Sequence, residues 1–212
     1  MTRLMFALLA AAILLPVAVR AADDAPDAEA KYQALLAAAK ASPAATDWQA
    51  LRFAYADRPS FSLFAVNDGR KAILEARAAH DWQRLLAAAD KVFDINYADG
   101  EAHRAAAVAY DQLGKPDDAR REQAIAVAIF RSMMPNGDGK SREHAFVVIS
   151  ITEEYELMAA TLRRRVGTQA LIHDAGHSYD TIEAAGQDGE KVTLYFEIDR
   201  VVAAEARMLG RR

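Results

Sequence analysis

Residues 101–120 constrain the fold of this chain more than any other stretch. They place small residues along one helical face, then Gly114 where a helix end favours a left-handed residue, and Pro116 where a new helix can begin without losing a hydrogen bond. Ala119 lets the returning helix approach closely. The stretch therefore predicts two helices joined by a tight turn.

Helical signals also precede this hairpin. Residues 23–27 read as a flexible leader, and 28–41 have helical spacing of apolar residues. Thr46 or Asp47, and later Asp81, are suitable N-caps for further helices. The helix after Asp81 carries a one-sided apolar stripe made of Trp82, Leu85, Leu86, Ala89 and Phe93.

Residues 100–132 match the offsets of small and aromatic residues in a tetratricopeptide repeat, and a weaker copy precedes them by about thirty-four residues. The likeness is carried by Ala107, Tyr110, Gly114, Ala119 and Ala126. His103 stands where the repeat has its tryptophan. An ordinary antiparallel hairpin packed through alanines remains the alternative.

The pattern changes after Met134. A β-branched run at 146–151 predicts a strand, and Thr152 then caps a predicted helix that reaches Arg165, whose basic end is solvated. Three more strands, joined by turns that include Asp188-Gly189, and a terminal helix capped by Asp199 follow. The three strands are predicted at 169–173, 178–184 and 191–198.

These patterns together predict an α+β fold. Tetratricopeptide-like helical hairpins over 22–134 precede a small, mostly antiparallel sheet with helices over 135–212, and the two parts pack as one unit. The chain has 212 residues, of which 52% are hydrophobic, enough for a substantial core.

Residues 1–21 have the pattern of a secretory signal peptide. Arg3 precedes an apolar run from Leu4 to Val19, and small residues stand before a cleavage position at Ala22. We therefore expect a periplasmic or secreted protein without a stable membrane span after cleavage; a membrane anchor is the alternative, although the run is short. The absence of cysteine excludes disulfides and lipoprotein processing.

The charge of the chain excludes one class of partner. Removing residues 1–21 takes away Arg3 and Arg20 and no acid, so the formal net charge changes from -4 to -6. Nucleic-acid binding requires clustered basic residues, so we expect none.

Glu153 and Glu154 are the strongest acidic candidates. Adjacent helical residues point about 100° apart, so both carboxylates cannot easily face one reacting atom. They either complement the positive end of a helix, or one of them reaches the junction of the two parts and meets Arg52 or His103. His103 and Tyr110 are two turns apart on one predicted helix face and either line an inner surface or lie partly in the core.

Two segments resemble metal sites, but each lacks required ligands. His173 and His177 flank a predicted hairpin tip, with Asp174 and Asp180 near in sequence and no third ligand fixed by spacing. Asp138 lies in a glycine-rich fragment of a calcium loop whose later ligands are missing. We expect neither a metal nor a cofactor, and a structural turn at Asp138.

Several motifs in order resemble a family of exported bacterial proteins classed as domain of unknown function 4919. They are Asp47–Tyr55, His103–Gly114, Gly137–Gly139, Val148–Tyr155, Tyr179-Asp180 and Leu194–Phe196. The family's tyrosine-rich crossing is replaced here by Phe61 and Phe64. The resemblance implies one helical-plus-sheet unit in the bacterial envelope and no established activity.

The sequence therefore favours a periplasmic binding or scaffold module whose partner is a protein or peptide of the cell envelope. The alternative is an envelope enzyme, hydrolase-like, with a carboxylate and histidine site between the helical and sheet parts. The candidate binding residues are Arg52, Tyr55, His103, Tyr110, Asp138, Glu153, Glu154, Tyr179 and Asp180.

Overall fold

The computed structural model describes residues 24–210, so the predicted signal peptide lies outside the described residues. In chain order the elements are α1 (Asp24–Ala41), a 3-10 turn (Pro43–Ala45), α2 (Trp48–Asp57), α3 (Asn67–Ala78), α4 (Trp82–Phe93), α5 (Gly100–Gln112), α6 (Pro116–Ser132), β1 (Phe146–Val147), α7 (Ile151–Ala160), β2 (Arg164–Asp174), β3 (His177–Ala185), β4 (Lys191–Glu197) and α8 (Asp199–Leu209). The predicted α+β class is confirmed.

The helix caps follow local chemistry. Asp47 accepts a hydrogen bond from the Ala50 amide at 2.9 Å, and Asp81 accepts one from the Arg84 amide at 3.0 Å, each satisfying a donor left free in the first turn. Gly114 has a φ of 71° between α5 and α6, as its predicted role as a helix terminator requires. The tetratricopeptide likeness of 100–132 stays a prediction.

The leader predicted to be flexible at 23–27 is largely helical, because α1 begins at Asp24.

In the C-terminal part, the strand predicted at 146–151 shortens to Phe146–Val147. The Ser150 hydroxyl accepts the Glu153 amide at 3.3 Å and so starts α7 before Thr152.

The predicted extension of this helix to Arg165 is also wrong. Leu162 adopts a φ of 57°, and the Arg163 amide donates to the Met158 carbonyl at 2.7 Å, which closes α7 in the way a glycine cap usually does. Arg164 and Arg165 consequently lie in β2 and are not the basic end of a helix.

The sheet has the order β1-β4-β3-β2. β1 runs parallel to β4, and the other two pairings are antiparallel. Ala175 and Gly176 turn the β2–β3 hairpin with φ values of 49° and 88°, and Gly189 turns the next one with a φ of 81°.

Two apolar clusters form the interior. One joins α1, α2 and α6 to α7, the sheet and α8 through residues such as Leu51, Ile129, Leu157, Ile182 and Phe196. The other is made of α3, α4 and α5 and is rich in alanine. None of the helices within residues 24–210 combines the length and apolar character that crossing a bilayer requires.

Candidate binding cleft at the junction of the helices and α7

Arg52 and Glu153 form a buried ion pair between α2 and α7. The Arg52 Nη2 atom lies 2.6 Å from Glu153 Oε2, and Nε donates to Oε1 at 3.1 Å. Arg52 is fully buried, and its remaining donors reach the Ser132 carbonyl at 3.2 Å and the Val147 carbonyl at 2.9 Å. Of the two hypotheses for the glutamate pair, the structure therefore places Glu153 at the junction with Arg52.

Glu154 points to the sheet instead and meets Asp180. Its side chain is completely buried, and neither carboxyl oxygen meets a hydrogen-bond donor. Burial first, and then the charge and hydrogen bond of Asp180 and the charge of Glu153, raise the pKa of Glu154 to about 8. At neutral pH Glu154 is therefore mostly a neutral acid that can donate a hydrogen bond to Asp180.

His103 contacts neither Glu153 nor Glu154. Its Nδ1 lies 2.6 Å from Glu122 Oε2, and its Nε2 lies 2.8 Å from the Tyr97 carbonyl, so both ring nitrogens have partners within the helices. Burial opposes ionisation of Glu122, but the hydrogen bond to His103 and the charges of His103 and Arg121 together hold its pKa below the ordinary value. Tyr110 is only half-buried and packs on the α3–α5 cluster.

Three other sequence candidates are structural. Burial raises the pKa of Tyr55 to about 12, and its ring packs against Phe61 with centroids 5.2 Å apart. Asp138 is exposed and accepts the Lys140 amide at 3.2 Å, as expected for a structural turn. Tyr179 is buried on β3 and faces away from the side that carries Asp180.

An open cleft of about 440 Å³ lies where α3, α5 and α6 approach α7. Its apolar surface comes from both sides of the junction: Ile73 and Leu74 from α3, Phe130 from α6, and Ala159 and Ala160 from α7. Leu74 is 63% exposed, so the cleft presents a large apolar side chain to solvent.

The polar groups of the cleft are arranged at two ends. Arg77 and Arg104 share the carboxylate of Glu101, at 2.9 Å and 2.7 Å, which leaves one positive charge in excess there. At the other end Arg70 lies 2.5 Å from Asp99 and also pairs with Glu156 of α7. The cleft is thus polarised, with guanidinium groups beside apolar walls.

None of the candidate binding residues named from the sequence lines this cleft. Arg70, Leu74 and Arg77 are spaced to share one face of α3, a signal that was available. The contact of Arg70 with Glu156, however, depends on how α7 packs against α3, and no motif encodes it. The cleft lies beside the candidate Glu153 and Glu154, with Tyr155 and Glu156 of the same turn lining it.

Comparison with known proteins gives one match. No curated protein and no solved structure matches the chain. A family model described as "Domain of unknown function (DUF4919)" matches residues 27–207, which include all of the cleft. The chain therefore belongs to the family of domain of unknown function 4919.

Proposed function

We propose that this protein is an exported binding module whose cleft holds a peptide segment of a cell-envelope protein. The observation that carries the proposal is the open junction cleft of about 440 Å³, which combines apolar walls with a pair of guanidinium groups. Cavities of this size and lining are typical of ligand sites. Helices α3 to α6, which pack each on the next and resemble a tetratricopeptide pair, supply a wall of the kind that repeat proteins use for peptides.

The chemistry of the cleft selects among peptides. An aliphatic or aromatic side chain fits against Leu74 and Phe130, where water is displaced from apolar surface. A carboxylate fits beside Arg77 and Arg104, because two guanidinium groups there share only the one carboxylate of Glu101. The favoured ligand is therefore a segment with an apolar residue next to an aspartate, a glutamate or a chain end.

The arrangement of acids and imidazoles supports binding over catalysis. Within residues 24–210, Glu153 is held by Arg52, Glu154 faces Asp180, and His103 is held by Glu122. A hydrolase-like site would need a carboxylate and an imidazole facing a shared open space. The junction cleft is lined by arginine, glutamate, threonine, tyrosine and apolar side chains, with no histidine.

Export is supported by the sequence of residues 1–21, with its basic start, apolar run and small residues before Ala22. Cell fractionation with an epitope tag at the C-terminus tests it. We expect a periplasmic or secreted species shortened by about 2 kDa, whereas a full-length cytoplasmic species would contradict export.

Binding is tested by selecting from a random heptapeptide phage library on the purified protein. We expect enrichment of sequences in which an apolar residue lies next to an acidic one. Synthetic peptides from the enriched set should lose at least about tenfold in affinity with Arg77→Gln or Leu74→Ser, since each removes a contact made by the ligand. Lys71→Gln, on α3 but outside the cleft lining, is the matched control for loss of a positive charge and should bind normally.

Two results would overturn the proposal. One is enrichment of peptides that bind Leu74→Ser and Arg77→Gln as tightly as the unchanged protein. The other is a library that yields no enriched sequence. Far-UV circular dichroism of each variant ensures that any loss of affinity is not a loss of fold.

A further inference from the structure

Three side chains with metal-binding atoms meet at one end of the sheet, and none of them lines the cleft. In the β3–β4 register Tyr179 lies opposite Glu197, so His177, two residues back, comes beside Asp199, two residues on. Side chains alternate along strands, which puts His177 and Glu197 on the side of the sheet opposite to the buried Ile182. One donor atom from each of His177, Glu197 and Asp199 lies within 4.8 Å of the other two.

Asp199 is already held in position for this role. Its Oδ1 accepts the backbone amide of Ser178 at 2.7 Å, while Oδ2 lies 2.6 Å from His177 Nδ1. Such a second hydrogen bond fixes the orientation of a carboxylate and is a regular feature around bound metals. The predicted role of Asp199 as a helix cap is replaced by these contacts, because α8 begins at Asp199 itself and its side chain turns back to β3.

The cluster contains two carboxylates, and one of them lacks a partner of opposite charge in direct contact. Glu197 forms no ion pair within the described part of the chain, and the nearby Arg142 and Arg200 are paired with Asp174 and Asp57. Burial and then the charge of Asp199 raise the pKa of Glu197, although the charges of His177 and Arg200 oppose the shift. The hydrogen bond and charge of Asp199 raise the pKa of His177. The charge of Asp199 contributes to both shifts, so the two carboxylates favour a positive charge placed between them.

We propose that His177, Glu197 and Asp199 form a binding site for a divalent transition-metal ion such as Zn²⁺. One imidazole and two carboxylates are ligands this ion accepts, and together they neutralise its charge when the imidazole is neutral. Zinc bonds of about 2.0–2.2 Å put neighbouring ligand atoms about 3.4 Å apart, so the three side chains need only small rotations. Half of the His177 side chain is exposed, which leaves it free to make that movement and leaves open positions for water.

The sequence did not reveal this site because the partners of His177 come from β4 and α8. The neighbours suggested by sequence are engaged elsewhere: His173 contacts the Ser178 hydroxyl at 3.0 Å, Asp174 pairs with Arg142, and Asp180 lies on the other side of the sheet. The proposal is independent of the peptide cleft.

Isothermal titration of the chelator-treated protein with ZnCl₂ tests the site. We expect one bound ion, and a loss of affinity of at least about tenfold for His177→Ala and for Glu197→Gln, since each removes a ligand. His173→Ala is the matched control, because it removes a nearby histidine from the same hairpin and should change the affinity less than about twofold. Replacing Zn²⁺ with Co²⁺ adds a spectroscopic readout, since the visible absorption bands of the bound ion should change in His177→Ala.

Equal zinc affinity in His177→Ala and His173→Ala would overturn the proposal, as would the absence of a stoichiometric binding event in the unchanged protein. Circular dichroism in the absence of metal checks that the variants are folded. If His177→Ala were unfolded, Glu197→Gln with the Co²⁺ spectrum would decide: an unchanged spectrum would equally refute the site.

Discussion

Replacing Glu154 with glutamine should stabilise the protein, and increasingly so as the pH rises. Glu154 is completely buried, and its pKa rises from 4.5 to about 8 on folding. The charged groups that face it are Asp180 from β3 and Glu153 from its own helix, both acidic. Since the folded state retains a proton that the unfolded state loses above pH 4.5, the free energy of unfolding must fall as the pH rises through this range.

The magnitude follows from the two pKa values. Each pH unit between them removes about 1.4 kcal/mol, so this one group lowers stability by about 3 kcal/mol at pH 7 relative to pH 4.5. Glutamine has nearly the same shape, does not ionise and can donate to Asp180 as the protonated acid does. The gain from Glu154→Gln should therefore be below about 1 kcal/mol at pH 5 and near 3 kcal/mol at pH 7.

Urea unfolding at pH 5, 6, 7 and 8, followed by circular dichroism, measures this difference. With a slope of about 2–3 kcal/mol per molar urea, the midpoint should move up by about 1 M at pH 7. Glu205→Gln, which changes an exposed glutamate of α8, is the control and should leave the pH dependence unchanged. A constant difference between Glu154→Gln and the unchanged protein at all four pH values would refute the reasoning.

Two further predictions concern the buried ion pair at the junction and the loop between α6 and β1. Arg52→Met should lower the free energy of unfolding by about 3–5 kcal/mol, because Glu153 is left buried without an opposite charge and keeps only the hydrogen bond from the Ile149 amide. Adding Glu153→Leu should restore most of the loss, and a double variant as unstable in urea as the single one would contradict this. Gly139→Ala should be more destabilising than Gly114→Ala: both glycines have positive φ, but a Cβ at Gly139 would lie 2.4 Å from the Phe146 ring, whereas nothing lies within 4 Å of one at Gly114. Equal urea midpoints for the two alanine variants would show that packing against Phe146 is not the cause.

Local sequence signals predicted the helix boundaries well where a single residue type determines the backbone conformation. Asp47 and Asp81 cap helices through side-chain contacts three residues away, and Gly114 ends α5 with a conformation that other residues adopt at a cost. The boundary between α7 and β2 was missed because Leu162 takes the left-handed conformation there. Leucine gives no local sign of doing so, and only the packed structure requires it.

The same distinction between local signals and tertiary packing applies to the candidate sites. The contact between Arg52 and Glu153 was among the alternatives because buried charge on two facing helices must find an opposite charge. The cleft was not among the alternatives, because its contacts join residues distant in sequence: Arg70 meets Glu156 across 86 positions and Asp99 across 29. Which faces of α3, α5 and α7 confront each other is settled by the apolar packing beneath them, and a pattern within one helix does not contain that information.

Helix α7 explains why the residues that hold the molecule together lie beside those proposed to bind. Successive positions turn by about 100°, so Glu153 reaches Arg52, Glu154 reaches Asp180, and Tyr155 and Glu156 line the cleft. One helical turn therefore serves two buried contacts and one open surface.

The same geometry limits which residues can report on binding alone. Asp99 caps α5 through one oxygen, which accepts the Ala102 amide at 2.9 Å, and holds Arg70 with the other. A change at Arg70 would thus disturb the start of α5 and the contact with Glu156 together with the cleft. Leu74 and Arg104 have exposed side chains, and the ion pair of Arg104 with Glu101 stays within α5, so changes there separate loss of binding from loss of structure.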